Sequence, residues 1–422
     1  MKILVIGGVA AGTKAAAKWK RENRADQVVL LTKSADISYA GCGLPYYVGG
    51  SIENREELIV NTPQKYRGLT GVEVLTLREA THVDPAAKVV TAQNLENGQE
   101  ETYSYDKLIV ATGASAVKLP LPGVDLNGVF PMRAPEDAIT MRDYLEANGV
   151  KKAVVIGGGF IGLELAENLF DRGISVTVVE VASQILSGVL DGEMAGYVQR
   201  HLQQKGIRVL TGTKATALVG DGKVEGVQTD AGLLPCGAVV VSAGIRPNTA
   251  FLEGTGIQME KGAIVVDECL ATSVADIYAA GDCALVKNRL TGKAQYSPMG
   301  SSANLEGRTL AQNLNGENKT YPGVLGTGVV KLPGLNVGRT GLTESAAKEA
   351  GYDVETVVAV TDDKAHYYPG AAFFITKLLA DRNTHQLLGV QVLGPGAVDK
   401  MVDIAVVGLS MGLKLEDFEN LD

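Results

Sequence analysis

Cysteine and tryptophan are scarce in this chain: 422 residues hold four of the former and one of the latter. Cys42, Cys236, Cys269 and Cys283 are too scattered for a disulfide framework and lack the paired spacing of a zinc site. The four histidines, His82, His201, His366 and His385, stand apart as well, so no metal is expected. Positive charge is short: 39 Lys and Arg against 48 Asp and Glu leave a formal charge of −9, which argues against general nucleic-acid binding. No apolar run approaches the ~20 residues of a membrane span. Met1 leads straight into a strand pattern, without the charged, apolar and cleavage regions of an export signal. A cytoplasmic protein is expected, in a compartment where a thiol can act as a redox centre.

Glycine, by contrast, is abundant at 51 residues, and its placement organises the chain. A chain of this length exceeds one hydrophobic core, so two or three domains are expected. Residues 2–32 read strand, glycine turn, helix, strand, with Ile3–Ile6 and Val28–Leu31 as strands buried on both faces and Thr13–Glu22 as the helix. Residues 152–180 repeat the pattern: Val154–Ile156, glycines, a helix from Ile161 to Arg172, then Val176–Glu180. Two such units predict two dinucleotide-sized sites. Leu108–Gly113 reads as a further buried strand, and Leu119–Asp125 (LPLPGVD) as a crossing between domains. Ala238–Ala243 runs into a second crossing, GIRPN, and Ile277–Asp282 ends a strand on Gly-Asp. From about Tyr321 the text alternates like antiparallel strands, with helices over Glu344–Ala350 and Val398–Met411. The expected fold is α/β: two Rossmann-like dinucleotide-binding domains and a C-terminal α+β unit. The boundaries fall at 1–118, 119–246, 247–320 (a return to the first domain) and 321–422.

Gly157, Gly159 and Gly162 fit G-x-G-x-x-G between strand and helix, the pattern that brings a pyrophosphate onto a helix N-terminus. Glu180 ends the following strand, where a carboxylate accepts ribose hydroxyls and repels a 2′-phosphate. No Arg follows in VASQIL, so NADH is expected over NADPH. The first unit is less regular. Gly7 and Gly12 take the outer positions, Val9 the middle one, and Thr32 stands where an acid is usual. Gly281-Asp282 strengthens it as a ligand site, because a carboxylate after a buried strand can hold a ribityl chain. Cys42, in the turn SYAGCGLPYYVGG (Ser38–Gly50) beside the first unit, suggests electrons passing from a nicotinamide through a flavin to sulfur. Cys236, Cys269 and Cys283 read as structural.

These motifs together resemble the two-dinucleotide-fold flavoprotein disulfide reductases over the whole chain. The matching segments are GGVAAG at 7–12, SYAGCGLPYY at 38–47, LIVATG at 108–113, GGGFIGLELAE at 157–167, IYAAGDCA at 277–284 and SPMGSSANLEGR at 297–308. More narrowly, the chain is similar to their single-cysteine branch: coenzyme A disulfide reductases, NADH-dependent persulfide reductases, NADH oxidases and NADH peroxidases. The resemblance implies FAD in the first unit and the 277–310 segment, NAD in the middle unit, and a homodimer formed through the last hundred or so residues. It implies cofactor contacts at Gly7, Gly8, Ala10, Gly12, Thr32, Lys33, Ser38, Ala111, Thr112, Gly113, Arg133, Gly281, Asp282, Ser301 and Ala303. The same holds for Gly157, Gly159, Phe160, Ile161, Gly162, Glu164, Glu180 and Gly244. It implies catalytic roles for Cys42 and for Tyr367 or Tyr368, which resemble the segment that reaches the partner subunit's active site. Lys14, Lys18 and Arg21, on one face of the first helix, become candidates for the phosphates of coenzyme A.

Within the branch, oxidases and peroxidases typically carry a His where this chain has Ala10, which favours disulfide or persulfide reduction over peroxide or oxygen chemistry. A thiol must be a thiolate to attack sulfur, and a helix beginning after Gly41 is expected to lower the Cys42 pKa. Ile37 and Ser38 stand upstream where a second cysteine would sit, so Cys42 must pair with an external partner. The expected cycle is NADH to flavin to Cys42, which alternates between thiolate and a mixed disulfide with a small thiol such as coenzyme A. The alternatives are an oxidase or peroxidase using a Cys42 sulfenic acid, and an electron-transfer flavoprotein with a protein partner. Relatives continue past a LENLD-like segment into a Tyr- and Pro-containing loop, and some carry a rhodanese domain.

Overall fold

A computed structural model describes residues 1–421; Asp422 lies outside the described residues. The apolar runs become the centres of two parallel sheets. Lys2–Ile6 pairs with Gln27–Leu31 on one side and Lys107–Val110 on the other. Glu73–Leu75 and Ile277–Ala279 complete this five-stranded sheet at its edges. Lys152–Ile156 is flanked in the same way by Ser175–Val179 and Ala238–Val241, with Arg208–Leu210 and Val129–Phe130 outermost. The central strands are buried between helices on one face and a three-stranded antiparallel sheet on the other, which is why they read as unbroken Val/Ile/Leu runs.

Both helices after the glycine turns begin a little earlier than the composition suggests, as Ala10–Glu22 and Phe160–Asp171. Glu180 lies just past its strand, which ends at Val179. The second crossing meets the segment just ahead of the first: Ala114–Ala116 pairs antiparallel with Ile245–Pro247. The helix Gly300–Leu314 lies on the first helix so closely that a Cβ on Gly307 would come 2.4 Å from the Ala11 carbonyl oxygen. This contact returns the later segment to the first sheet.

The last part is a five-stranded antiparallel sheet in the order Gly328–Leu332, Leu335–Gly341, Leu387–Gly394, Phe373–Asp381, Val354–Asp362. The helix Val398–Met411 covers one face with Val398, Val402, Ala405 and Leu409. Its other side leaves Ile404, Val407 and Met411 in the open, and the edge strand exposes Val357, Val358 and Val360. Among the described residues no helix is long and apolar enough to cross a membrane.

One polar cluster fastens this sheet to the second glycine-turn unit. Lys377 is 0% exposed and its ammonium meets Asp191 at 3.0 Å, Glu344 at 3.1 Å, and Glu193. Gln391 closes the cluster by donating to Asp191 at 2.7 Å. Burial by itself would lower the lysine pKa, but hydrogen bonds to Glu193, Asp191 and Glu344 outweigh it and hold the ammonium charged.

Candidate active site

The two glycine turns share one construction. Gly7 and Gly157 both take positive φ, and their amides donate to Leu31 and Val179 carbonyls at 2.8 and 2.9 Å. A Cβ on Gly12 would lie 2.0 Å from the Gly7 carbonyl oxygen, and one on Gly162 would lie 2.1 Å from that of Gly157. The outer glycines are therefore demanded by the fold itself. Gly159 differs, because a Cβ there would meet nothing within 4 Å. The middle position faces open space over the helix N-terminus, which is where an approaching phosphate needs room. Val9 in the first turn is tolerated for the same reason.

Around the first turn, positions distant in sequence converge. A Cβ on Gly281 would touch Ala11 and Ala303, at 3.2 and 3.6 Å. Asp282 pairs with Arg133, whose Nε donates to the Ala114 carbonyl at 2.8 Å. Thr112 donates to the Asn248 carbonyl at 2.7 Å, and Ala111 to that of Ile6. Ser301 and Ala303 sit in the first turn of Gly300–Leu314. Thr32 is buried at its strand end, and Lys33 is exposed beside Glu79 at 3.7 Å. A helix N-terminus, a glycine-lined backbone and a carboxylate at a strand end form a donor and acceptor set that fits an elongated dinucleotide such as FAD. In the second unit Glu180 accepts from Gly158 and Ala182 amides, at 2.7 and 2.8 Å, and so orders the loop it closes. Ile161 lies in the first turn of the helix there, and Gly244 takes a φ of +111° nearby.

Cys42 hangs from the first turn: the Ser38 amide donates to the Gly8 carbonyl at 2.7 Å, with Ser38 at φ +50°. It lies in a tight 3-10 turn, Gly41–Gly43, ahead of the six-residue helix Leu44–Gly49, and it is exposed. Two arginines from the second unit hold that helix. Arg172 donates to the Val48 carbonyl at 2.7 Å, and Arg142 lies over the Tyr47 ring at 4.7 Å. Gly49 fits against Asn168 with no room for a Cβ. This packing brings Glu164, on Phe160–Asp171, to the cysteine.

The expected lowering of the thiol pKa is not found. The surrounding protein pushes Cys42 up, Glu164 adds to this, and Arg133 opposes it only in part. A short helix behind a 3-10 turn does not offset desolvation and a facing carboxylate. Glu164 itself is raised to about 7, by burial first and by the charge of Glu167 second. Tyr46 shares a hydrogen bond with Glu164 and is raised to about 12, chiefly by burial. Tyr46 was not singled out by the sequence because it lies in a motif whose cysteine dominates the reading. Glu306 was also missed. It is buried, accepts from the Gly281 amide at 2.6 Å, and is raised to about 7 by burial.

Phe160 packs on Gly328 at the last sheet. Tyr367 and Tyr368 are exposed in the turn after Val354–Asp362, where they contact His366 and Lys364 rather than Cys42. Lys14 and Arg21 are exposed, whereas Lys18 is paired with Glu22. Cys236 and Cys283 are buried, both with pKa raised to about 11 by desolvation, and Cys269 sits in a turn. Among the described residues no cluster of three or more His, Cys, Asp or Glu could hold a metal ion.

Comparison with known proteins gives a consistent result. Residues 1–301 match the family described as pyridine nucleotide-disulphide oxidoreductase, and residues 329–421 match the dimerisation domain of that family. The chain is 36% identical to an NAD(P)H sulfur oxidoreductase (CoA-dependent) of Pyrococcus furiosus, over 99% of this chain and 93% of the relative. It is 34% identical to an NADH oxidase of Methanocaldococcus jannaschii, over 100% of this chain and 94% of the relative. Among solved structures, an NAD-dependent persulfide reductase from A. fulgidus superposes with a TM-score of 0.96 at 37% identity, covering 100% of this chain and 79% of that one.

Proposed function

The chain belongs to the pyridine nucleotide-disulphide oxidoreductase family, and from that premise we propose that it is an FAD-dependent NADH:disulfide oxidoreductase acting through Cys42. Its substrates in this reading are coenzyme A disulfide, a persulfide or a polysulfide. The domains follow as FAD-binding (1–118 and 247–320), NAD-binding (119–246) and dimerisation (321–422).

FAD would be held by the first glycine turn, Ala111–Gly113, Arg133, Asp282 and the start of Gly300–Leu314, and when bound it supplies the two-electron relay between nicotinamide and sulfur. The space over Gly159 takes the NADH pyrophosphate, and Glu180 takes the ribose hydroxyls. The Cys42 thiolate attacks one sulfur of the disulfide, so that an S–S bond forms to one half and the other half leaves as thiolate. The leaving thiolate takes its proton from solvent or from Glu164, which holds one at Oε near neutral pH. Lys14 and Arg21, both exposed, are the cations available for coenzyme A phosphates. In a homodimer, the apolar surface of Val357, Val358, Val360, Ile404 and Val407 would be covered, and Tyr367 or Tyr368 would reach the partner's cysteine.

The observation that carries this reading is an exposed, unpaired Cys42 set against Glu164 and Tyr46, with the other cysteines elsewhere. The Methanocaldococcus relative supports a second reading, an NADH oxidase cycling Cys42 through a sulfenic acid. Ala10 counts against it, since no imidazole stands in the first glycine turn. NADH consumption under strict anaerobiosis, with and without coenzyme A disulfide and then with air admitted, separates the two. Turnover that needs the disulfide supports the reductase; turnover that needs oxygen supports the oxidase.

A further inference from the structure

A cavity of about 260 Å3 lies where three parts of the chain meet, and none of Cys42 or the two glycine turns lines it. Its walls include Asn288, Thr291, Lys293 and Gln295 from the hairpin after Asp282, together with Arg339 and Thr343 from the last domain. Arg339 is the unusual member. Its Nη2 donates to the Gly341 carbonyl, but its Nε is sealed from solvent and has no hydrogen-bond partner. That Nε has no surface open to water and cannot reach a ligand in the cavity, which leaves Nη1 as the atom of this guanidinium available to one. Desolvation lowers the Arg339 pKa to about 10, with Asp191 the one carboxylate that acts against it. Asp191 is itself committed to Lys377 at 3.0 Å.

The neighbouring donors are unspent too. Asn288 Oδ1 accepts from the Leu290 and Thr291 amides at 2.8 and 2.9 Å, which turns its Nδ2 toward Gln295 Oε1. That bond fixes the Gln295 amide with its own Nε2 free. Gln295 Nε2 and Arg339 Nη1 converge beside Gly326, at 3.4 and 3.5 Å from where a Cβ would stand. Lys293 adds an exposed ammonium, and Glu349, also exposed, is the carboxylate on the lining.

We propose that this cavity binds a small oxyanion, a carboxylate or phosphate group, with Arg339 and Gln295 as its fixed donors and Lys293 at the mouth. The Arg339 Nη1 N–H and the Gln295 amide N–H, side by side, match two oxygens of one such group. The cavity volume restricts the ligand to an inorganic ion or a small metabolite. A ligand here would bridge the hairpin and the last domain, and so would stabilise the assembled molecule.

The test is calorimetric titration and thermal melting of the FAD-loaded enzyme with inorganic phosphate in one arm and succinate in the other, at constant ionic strength set with chloride. The expected result is saturable binding of at least one of the two, with a rise in Tm. Arg339→Met abolishes it, and Lys293→Gln, at an exposed position, weakens it about tenfold. The rate of flavin reduction by NADH stays unchanged in Lys293→Gln. The arm that binds identifies the source as phosphate or carboxylate. No saturable binding of either anion overturns the proposal. Binding that survives undiminished in Lys293→Gln, whether or not Arg339→Met folds, also overturns it, because the anion then sits elsewhere.

Discussion

Glu164 is the charge that opposes ionisation of Cys42 most strongly, and it sits one helical turn before Asn168, against which Gly49 packs with no room for a Cβ. Burial raises the Glu164 carboxyl to about 7. Above that pH its charge adds to the desolvation that already raises the Cys42 thiol; below it, desolvation acts without that charge. Glu164→Gln removes this opposition, so the Cys42 pKa falls. Alkylation of Cys42 by iodoacetamide, followed against pH, is expected to rise at lower pH in the variant. Coincident profiles would show that Glu164 does not act on the thiol.

Gly159→Ala and Gly162→Ala test the two kinds of glycine. Gly162→Ala drives a Cβ into the Gly157 carbonyl and is expected to cost about 3 kcal/mol or more in folding stability. Gly159→Ala meets no protein atom, so its melting temperature stays at that of the parent. Its KM for NADH is expected to rise about tenfold, near 1.4 kcal/mol of lost binding. Steady-state kinetics and urea titration of both variants check this.

Lys377→Met leaves Asp191, Glu193 and Glu344 facing one another without their shared cation. Removing one partner from a buried ionic cluster typically costs about 3–5 kcal/mol. Urea unfolding of the variant is expected to show a loss of that order at neutral pH. A change within ~0.5 kcal/mol would mean the cluster does not hold the domains together.

Glu306→Gln keeps an acceptor for the Gly281 amide but cannot ionise. The folded carboxyl is raised to about 7, against ~4.3 in an unfolded chain. Its contribution to stability is fully present below the unfolded value and is lost as pH rises through about 7. The variant escapes that loss. Its urea midpoint is therefore expected to gain on the parent between pH 5 and pH 8.

The sequence made the parallel sheets and glycine turns legible because there backbone geometry dictates residue type. Strands such as Lys2–Ile6 are buried on both faces, and the outer glycines have carbonyl oxygens where a Cβ would be. The antiparallel sheet Arg78–Asp84, Val89–Asn94, Glu100–Ser104 was not legible. Arg78–Asp84 buries only Val83, so its pattern is that of a loop, and cross-strand pairing makes it a strand. Cys42 was found from its setting, but its pKa was misjudged. Local spacing shows the nearby helix and hides Glu164, which tertiary packing supplies. Glu306 and Lys377 escaped notice for the same reason: their partners, Gly281 and Asp191, are distant in sequence.

The most direct test of the account is made on Cys42→Ser under anaerobic conditions. The variant should retain FAD and be reduced by NADH at the parent's rate, while NADH consumption driven by coenzyme A disulfide falls at least about a thousandfold. Disulfide turnover at the parent's rate in that variant would contradict the account, because the electrons would then reach sulfur without this thiol.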